Sequence, residues 1–503
     1  MTDIQPVEAL DNTLILAAEE CPPEEFGNIH TFAALDDSLI RKLMAHGPVL
    51  IRGGRGSGKS ALLIEAYRRS RTVKSVFAVY VSLRYLPLLQ SEGAEYIAHF
   101  CLLLSQKVRD ELVSQGIDAD FEDSNDQATL QIELGKLAQS IGRRIVLLFD
   151  DAAHIGREKP LEVFFDLFRT LSTSVTSCKA SIYPGVTRFG VRFDVFNDAT
   201  VVDVSRLDAA RLGGTFFLDV LRARYPDLAS AERFSDRISV NEFANFIGRS
   251  VVGNMRGFVL ACLRFENQPK IGVPEINSCI LAMAQDYYWP LMEEVSPKLG
   301  IYEPLVEPAR EAMEVIVDLA CRQARGERPT TASDRILVHR NIVSQYAKVF
   351  EILEYLGFIY KREASRALKS GGRGPVYAIN LCNLIDQMPQ QRLTLEIMNE
   401  WLEGNSEPAQ MHVSGQALST IVLPPIPDEH GLTIFDKPIA ILAQSGAYPY
   451  GLTDDKIARL TNAGYETVGA LASAQDAELL KLDRVGEATV RRIRNVLYQA
   501  IWM

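Results

Sequence analysis

The chain has 503 residues, of which 47% are hydrophobic and 23% charged, and its formal net charge is −11. These proportions are ordinary for globular domains, and the length suffices for about three of them. A chain that is acidic overall is not basic on every face, so any contact with nucleic acid must be local. Its seven cysteines are scattered without a Cys-x-x-Cys pair. This pattern favours a reducing compartment and argues against a disulfide or zinc framework.

The sequence carries no sign of a membrane. No apolar run reaches the roughly 18 residues that a membrane-spanning helix needs. The first residues, Met-Thr-Asp-Ile-Gln-Pro, lack the basic stretch and apolar core of a signal peptide. We therefore expect a cytoplasmic protein without a membrane partner.

The most informative stretch is a glycine-rich loop between a predicted strand at residues 48–51 and a predicted helix at 61–67. Its pattern Gly-x-x-x-x-Gly-Lys-Ser is typical of a phosphate-binding loop (P-loop), in which backbone N–H groups converge on phosphate oxygens at a helix N-terminus. Lys59 is expected to reach the β- and γ-phosphates of ATP, and the Ser60 hydroxyl to bind Mg²⁺. The predicted nucleotide-binding residues are Gly53, Gly54, Arg55, Gly56, Ser57, Gly58, Lys59, Ser60 and Ala61.

A second stretch has the features of a central strand that ends in acidic residues. Residues 145–149 are five consecutive apolar residues, and Asp150 and Asp151 follow them. A parallel strand would bring these carboxylates to the sheet edge where the P-loop holds phosphates. Asp150 is then predicted to hold Mg²⁺ through water, and Asp151 to orient or deprotonate the attacking water. Alone, the same pattern would indicate only a buried strand ended by a solvated acidic pair.

Further strands are predicted at residues 76–81, from Lys179 onwards and at 199–204. Helices are predicted at 95–115 and 128–141, between the strand at 76–81 and the strand at 145–149. Alternation of strands and helices predicts an α/β fold, a doubly wound parallel-sheet P-loop ATPase core.

The order of these motifs, followed by Gly253-Asn254-Met255-Arg256, resembles AAA+ ATPases, especially the origin-recognition/Cdc6-like branch, and also the related STAND signalling ATPases. The resemblance covers roughly residues 30–290 and implies a helical lid and a homo-oligomer. It also implies that a lid arginine and a polar residue after the fourth strand sense the γ-phosphate, and that a neighbouring subunit receives an arginine finger, Arg188 or Arg192. Many hydrolysing relatives have Glu at the position of Asp151, which predicts slow turnover. The implied catalytic residues are Asp151, Lys59, Thr187, Arg256 and Arg192.

The following region has the pattern of a winged helix. Apolar residues recur at three- and four-residue spacing in 303–323 and 341–356, and short strands are predicted at 358–361 and 375–379 around a basic, glycine-rich tip. The second helix is expected to face the major groove of DNA, and the tip to bind phosphates. Contact with protein alone is the alternative. The predicted DNA-binding residues here are Lys348, Arg366, Lys369 and Arg373.

After a proline-containing segment, residues 451–503 resemble a helix-hairpin-helix and, as a whole, the C-terminal domain of the bacterial RNA polymerase α subunit. The resemblance rests on Val-Gly-x-x-Thr-Val-x-x-Ile from Val485 to Ile493. It departs from that family at Asp455 and Ala488, where DNA-contacting basic residues are expected, so docking to a protein is the alternative. The implied DNA contacts are Arg484, Gly486 and Arg491.

Together the patterns predict an ATP-switched protein that binds double-stranded DNA. The alternative is a STAND-like signalling ATPase, such as a bacterial defence component, whose C-terminal modules bind a protein and whose effector is a separate chain. A metabolic P-loop kinase is disfavoured because two nucleic-acid-type modules follow the core. The predicted divisions are 1–210 for the ATPase core, 211–295 for the lid, 296–390 for the winged helix, 391–450 for a linker region and 451–503 for the helix-hairpin-helix.

Overall fold

The computed structural model describes residues 15, 17–86, 93–152, 158–186, 189–190, 192–207, 214–322, 331–404, 406–426, 433–444 and 451–502. Its centre is a parallel sheet with the strand order β2-β3-β4-β1-β5. The five strands are β1 (Val49–Arg52), β2 (Val76–Ser82), β3 (Arg144–Asp150), β4 (Thr176–Ile182) and β5 (Thr200–Asp203). This arrangement confirms the predicted parallel α/β core.

Helices cover both faces of this sheet. Along β3, Leu147 and Phe149 pack in the cluster that contains the long helices, whereas Val146 and Leu148 pack on the opposite side. Because alternate strand residues face opposite ways, both faces must be apolar, which explains the uninterrupted apolar run. The helices of the core are α1 (Phe26–Ile29), α2 (Ala34–Met44), α3 (Lys59–Ser70), α4 (Gly93–Ser114), α5 (Gln127–Ile141), α6 (Glu158–Leu171) and α7 (Val195–Asp198).

A helical region follows the core sheet. Asn254 begins one of its helices by accepting a hydrogen bond from the N–H of Gly257 at 2.9 Å, so the Gly-Asn-Met-Arg motif is a helix start. The helices are α8 (Phe216–Arg224), α9 (Val240–Ser250), α10 (Met255–Leu263), α11 (Val273–Met283) and α12 (Trp289–Val295), with a π-helical turn at Ala284–Tyr288 and 3-10 turns at Ala231–Arg233, Ser296–Lys298 and Gly300–Leu305.

The third region, here named the wing unit (306–411), contains a second sheet of order β7-β8-β6-β9. Its strands are β6 (Arg335–Val338), β7 (Ile359–Ala367), β8 (Arg373–Ile379) and β9 (Ala409–Met411). Its helices are α13 (Val306–Cys321), α14 (Arg340–Gln345), α15 (Ala347–Leu356), α16 (Leu381–Gln387) and α17 (Leu395–Glu403). The chain order of helix, strand, two helices and two strands gives the wing unit a hairpin beside a pair of short helices.

The wing unit differs from the sequence prediction in three ways. The single helix predicted at 341–356 is two helices, because Tyr346 leaves the helical conformation at φ −109° and ψ 30°. The hairpin strands extend into the predicted basic tip, so that only residues 368–372 connect them. Part of the predicted linker 391–450 is folded: Trp401 of α17 is fully buried and β9 pairs with β6.

The C-terminal unit (433–502) has its own apolar cluster, which includes Leu460, Val468, Leu479, Val496 and Leu497. Its α-helices are α18 (Asp454–Asn462), α19 (Val468–Ser473), α20 (Asp476–Leu479) and α21 (Glu487–Trp502), and 3-10 turns at Thr433–Asp436 and Ile439–Leu442 complete it. The predicted linker therefore supplies part of this core as well. Among the described residues, no helix combines the length and apolarity needed to cross a membrane.

Candidate functional site: a nucleotide pocket at the P-loop

The P-loop connects β1 to α3 with an open helix start. Gly56 and Gly58 have φ of +76° and +92°, a region that glycine adopts without steric cost. Gly58 precedes α3, and no side chain caps the first N–H groups of this helix. Residues Arg55 to Ala61 line a pocket at this point. These uncapped N–H groups and the helix dipole therefore form a site suited to phosphate.

The side chain of Lys59 lies inside the P-loop, where phosphates are predicted to bind. Its Nζ donates to the carbonyl oxygens of Gly53 at 2.8 Å and Gly54 at 3.0 Å, and lies 3.9 Å from the ring centroid of Tyr183. Burial lowers the pKa of the Lys59 ammonium to about 7, whereas Asp150 and Asp151 act in the opposite direction. Phosphate oxygens would supply the negative charge that this buried ammonium lacks.

Asp150 ends β3 at the same sheet edge and is held by donors from both neighbouring strands. Its carboxylate accepts hydrogen bonds from Ser181 Oγ at 2.7 Å, Tyr80 OH at 2.8 Å and the N–H of Asp151 at 3.0 Å. Ser181 lies on β4, which separates β3 from the P-loop strand. The sheet order therefore fixes the predicted metal-binding carboxylate opposite the phosphate loop.

Asp151 is buried and adopts a left-handed backbone conformation, with φ of 52°. Its Oδ2 accepts a hydrogen bond from Ser82 Oγ at 3.3 Å. Burial, and then the neighbouring Asp150 carboxylate, raise the pKa of Asp151. A non-glycine residue in this region costs on the order of 1 kcal/mol or more, and such residues concentrate at functional sites. Asp151 thus lies buried beside Asp150 and lines the pocket at the P-loop.

Glu19 is a site residue that the sequence analysis missed. It lies in the 3-10 turn Ala18–Glu20, and its carboxylate oxygen forms a cluster with those of Asp150 and Asp151 in which all three ligand atoms lie within 4.8 Å of one another. Arg84 Nη1 lies 3.7 Å from Glu19 Oε2. Burial, followed by Asp151 and Asp150, raises the pKa of Glu19. The cluster offers hard carboxylate oxygens, which fit Mg²⁺, next to the P-loop.

Apolar side chains form much of the remaining wall of the pocket, and polar groups occur at a few points. His30 Nδ1 hydrogen-bonds the carbonyl oxygen of Phe26 at 3.1 Å, so Nδ1 carries the proton in the neutral ring. Burial lowers the pKa of His30 to about 4. The wall consists of Ile29, His30, Thr31, Phe32, Arg206, Phe216, Val220, Arg224, Met255 and Val259.

The start of α10 is tied to the P-loop. Asn254 Nδ2 donates to the carbonyl oxygen of Arg55 at 2.6 Å, and the N–H of Met255 donates to that of Gly56 at 2.9 Å. A Cβ on Gly56 would lie 2.8 Å from the Cβ of Arg256, so this helix leaves no room for a larger residue in the loop. Arg256, the predicted lid sensor, lines the pocket.

Helix α15 of the wing unit also contacts the P-loop. The N–H of Arg55 donates to the carbonyl oxygen of Tyr355 at 2.8 Å, and the rings of Tyr355 and Tyr183 meet edge to face at 4.9 Å between centroids. A Cβ on Gly54 would lie 2.8 Å from the carbonyl oxygen of Glu354. Gly54 consequently faces α15, whereas a Cβ on Gly53 would meet Ser57. The P-loop residues that line the pocket are Arg55 to Ala61.

Lys348, which is predicted to bind DNA, lies against the core in this arrangement. Its Nζ donates to the carbonyl oxygen of Gly185 at 2.7 Å and lies 3.0 Å from a carboxylate oxygen of Glu351. Gly185 lies just after β4 of the parallel-sheet core. Helical periodicity predicts one buried face, but the core covers the other face of α15 as well.

The basic side chains of the hairpin are accessible but have acidic or polar neighbours. Arg366 pairs with Glu363, Lys369 pairs with Glu407, and Arg373 Nε donates to Ser365 Oγ at 2.9 Å. The sequence count of basic residues at this tip missed Glu407, which comes from the chain before β9. Exposed pairs of this kind are weak and can exchange carboxylate for phosphate.

The C-terminal basic residues have different surroundings. Arg484 and Arg491 are exposed, and Arg484 lies near Asp483. Gly486, directly before α21, has open space beside it. Arg494 instead has a structural role, since its Nε donates to Asp476 at 2.7 Å and its guanidinium also contacts backbone carbonyls.

The predicted sensor Thr187 and the alternative finger Arg188 lie outside the described residues. Arg192 is exposed, its backbone N–H donates to Asp166 Oδ1 at 3.2 Å, and it does not line the nucleotide pocket of its own chain. That location leaves a role towards a neighbouring subunit as a prediction.

No protein-family model and no curated protein matches the chain. Among solved structures, it is similar to a Walker-type ATPase of Pyrococcus abyssi, with 14% identity, a TM-score of 0.42, and coverage of 76% of this chain and 97% of that one. Pyrobaculum aerophilum Cdc6p gives 10% identity, a TM-score of 0.34, and coverage of 76% and 98%. The Aeropyrum pernix ORC1 protein, solved in complex with DNA, has 13% identity and a TM-score of 0.29, with coverage of 75% of this chain and 93% of that one. Likeness at these levels carries no conclusion about what this chain binds.

Proposed function

We propose that the chain binds ATP with Mg²⁺ and acts as a switch, in which occupancy of the nucleotide pocket sets the position of the wing unit relative to the core. The hydrogen bond from the N–H of Arg55 to Tyr355 in α15 is the observation that supports it most directly. Phosphates bound at the P-loop would either disfavour or stabilise the loop conformation that the wing unit contacts. A ligand shifts such an equilibrium only by its different affinity for the two arrangements.

Slow ATP hydrolysis is part of this proposal. Ser60 and Asp150 would hold Mg²⁺, which when bound neutralises charge on the phosphates. Asp151 would orient the attacking water and accept its proton, and Arg256 would contact the γ-phosphate. The Asp151→Asn variant should bind ATP normally and lose turnover. Turnover that survives this change would refute the role given to Asp151.

We further propose that the switch controls contact with double-stranded DNA through the hairpin and the C-terminal unit. The support is the exposure of cationic side chains in both places, Arg366, Lys369, Arg373, Arg484 and Arg491. In this arrangement, α15 has no free face for a DNA groove, so movement of the wing unit would have to precede any reading of bases by that helix.

The test is the salt dependence of duplex DNA binding with and without an ATP analogue. We expect log K to fall steeply with log salt in one nucleotide state, and the slope to decrease by about 3 in the Arg366→Ala/Lys369→Ala/Arg373→Ala variant. Lys107→Ala/Arg109→Ala, on the distant helix α4, is the matched control and should leave the slope unchanged. Absence of any ATP-sensitive DNA binding would exclude the DNA switch.

A signalling ATPase of STAND type, whose C-terminal modules bind a protein, is the second candidate. The observation that favours it is the covered face of α15 together with carboxylate partners for Arg366 and Lys369. It predicts a change of oligomer size with an ATP analogue and no DNA binding. Native mass measurements of the full chain, with and without the analogue and duplex DNA, separate the two candidates.

A further inference from the structure

The segment that carries Glu19 is fixed over the nucleotide pocket by contacts on both sides of that residue. The Arg224 guanidinium donates to the carbonyl oxygens of Ile15 at 2.8 Å and Ile29 at 3.3 Å. Phe26 is fully buried, and the Arg68 guanidinium lies 5.1 Å from its ring centroid. Glu19 therefore reaches the pocket from an anchored turn.

The Glu19 side chain enters the site itself. It is only 10% exposed, and the side chain of its arginine neighbour, Arg84, is 3% exposed. Its ligand oxygen lies within 4.8 Å of those of Asp150 and Asp151, so three carboxylates meet in a space that also borders the P-loop. Three carboxylates this close together repel one another unless cations or protons intervene. Arg84 Nη1 lies 3.7 Å from Glu19 Oε2, and Lys59 lines the same pocket as the three acids.

Oxygen donors of this kind match the preference of Mg²⁺ and Mn²⁺, which bind carboxylates together with water and phosphate oxygens. Asp150 comes from β3 and the Ser60 hydroxyl from the P-loop, so both belong to the rigid core. Glu19 differs because it comes from the segment that covers the pocket. A cation held by all of them would join this segment to the core.

Building on the proposed nucleotide site, we propose that Glu19 is a third carboxylate of the metal–nucleotide centre, acting directly or through one water. Binding of the divalent cation then fastens the segment 17–33 over the nucleotide. When nucleotide is bound without the cation, the three carboxylates repel one another and the segment is held less firmly over the nucleotide.

The test compares Glu19→Gln with wild type and with the control Glu24→Gln, an exposed position on the same segment. Mn²⁺ binding to the protein–ADP complex is measured by electron paramagnetic resonance. Hydrogen exchange of residues 17–33 is measured with ADP plus EDTA and with ADP plus Mn²⁺. We expect Glu19→Gln to weaken Mn²⁺ binding by roughly tenfold and to lose the Mn²⁺-dependent protection of the segment. Glu24→Gln should behave as wild type.

Binding of ADP in the presence of EDTA shows whether a variant keeps an intact pocket. It therefore distinguishes a wrong role for Glu19 from a wrong assignment of the nucleotide site. In Glu19→Gln it should equal or exceed that of wild type, because a negative charge near the phosphates is removed. Unchanged Mn²⁺ affinity and unchanged protection in a variant that binds ADP would overturn the role of Glu19 alone. A wild-type chain that binds no adenine nucleotide would overturn the proposed function and this inference together.

Discussion

The nucleotide pocket and the C-terminal unit contain similar charged residues in opposite environments. At the pocket, Arg206 pairs with Asp36, and their side chains are 5% and 3% exposed. In the C-terminal unit, Arg459 pairs with Asp455 one helical turn away, and these side chains are 31% and 68% exposed. Burial makes the first pair costly to break, whereas water solvates either member of the second. The same ion-pair chemistry should therefore determine stability in one region and have little effect in the other.

The largest effect is expected from Asp36→Asn. Its carboxylate accepts from Arg206 and also from the N–H of Ala33 at 2.8 Å, so the change leaves a buried guanidinium without its counter-charge. The free energy of unfolding should fall by about 3–5 kcal/mol in urea titrations. Asp37→Asn is the matched control, because the Asp37–Arg69 pair is 38% exposed on each side and should cost less than about 1 kcal/mol. Equal losses would contradict the burial contrast.

Lys59→Ala should weaken ATP binding by roughly 100-fold, about 2.7 kcal/mol, because the charge-assisted bonds to phosphate oxygens are lost. Isothermal titration calorimetry measures this directly. The control Lys42→Ala removes an exposed lysine on α2 and should leave affinity unchanged. Tight ATP binding by Lys59→Ala would refute the assignment of the P-loop.

Acid should destabilise the pocket region through His30. Its pKa is about 4 in the folded chain against 6.5 in the unfolded chain, so the unfolded state binds more protons between these values. Stability therefore rises with pH across the window from 4 to 6.5, and at pH 5 the folded chain has lost about 2 kcal/mol relative to pH 7. His30→Gln should flatten this part of the stability–pH profile. An unchanged profile in the variant would show that other groups dominate.

The smallest effect is expected for the exposed ion pair of the C-terminal unit. Asp455→Asn removes an exposed i, i+4 partner of Arg459 and should change the free energy of unfolding of the C-terminal unit by about 0.5 kcal/mol or less. Thermal unfolding at low and high salt checks this. A loss above about 1 kcal/mol would contradict the expectation that exposure makes this pair weak.

The core and its loop could be predicted because their signals are local. The apolar run of β3, the glycine spacing of the P-loop and the acidic pair at the end of β3 each lie within about ten residues. Sheet order then brings Asp150 to the loop without further information. The folded part of the supposed linker also had local signals, since Thr394 caps α17 and Gly404 ends it, but the prolines around it suggested extended chain.

Contacts between distant segments could not be predicted. Glu19 lies in an acidic stretch whose spacing carries no pattern, and only the fold brings it to Asp150 and Asp151. The contact of Lys348 with the core could not be predicted for the same reason, because periodicity cannot indicate that a second domain covers the polar face of a helix. The short strands β6 and β9 are defined by pairing with partners far along the chain.

Gly54 is a position at which a substitution can change the contact between the wing unit and the core. Unlike Gly56 and Gly58, it has no left-handed backbone that would demand glycine, yet an added Cβ would meet the carbonyl oxygens of Glu354 and Tyr355 at 2.8 and 3.3 Å. A single methyl group here would act as a wedge between the wing unit and the core while leaving Lys59 and Ser60 in place. Gly54→Ala should therefore weaken the contact between the wing unit and the core, whatever nucleotide the chain carries.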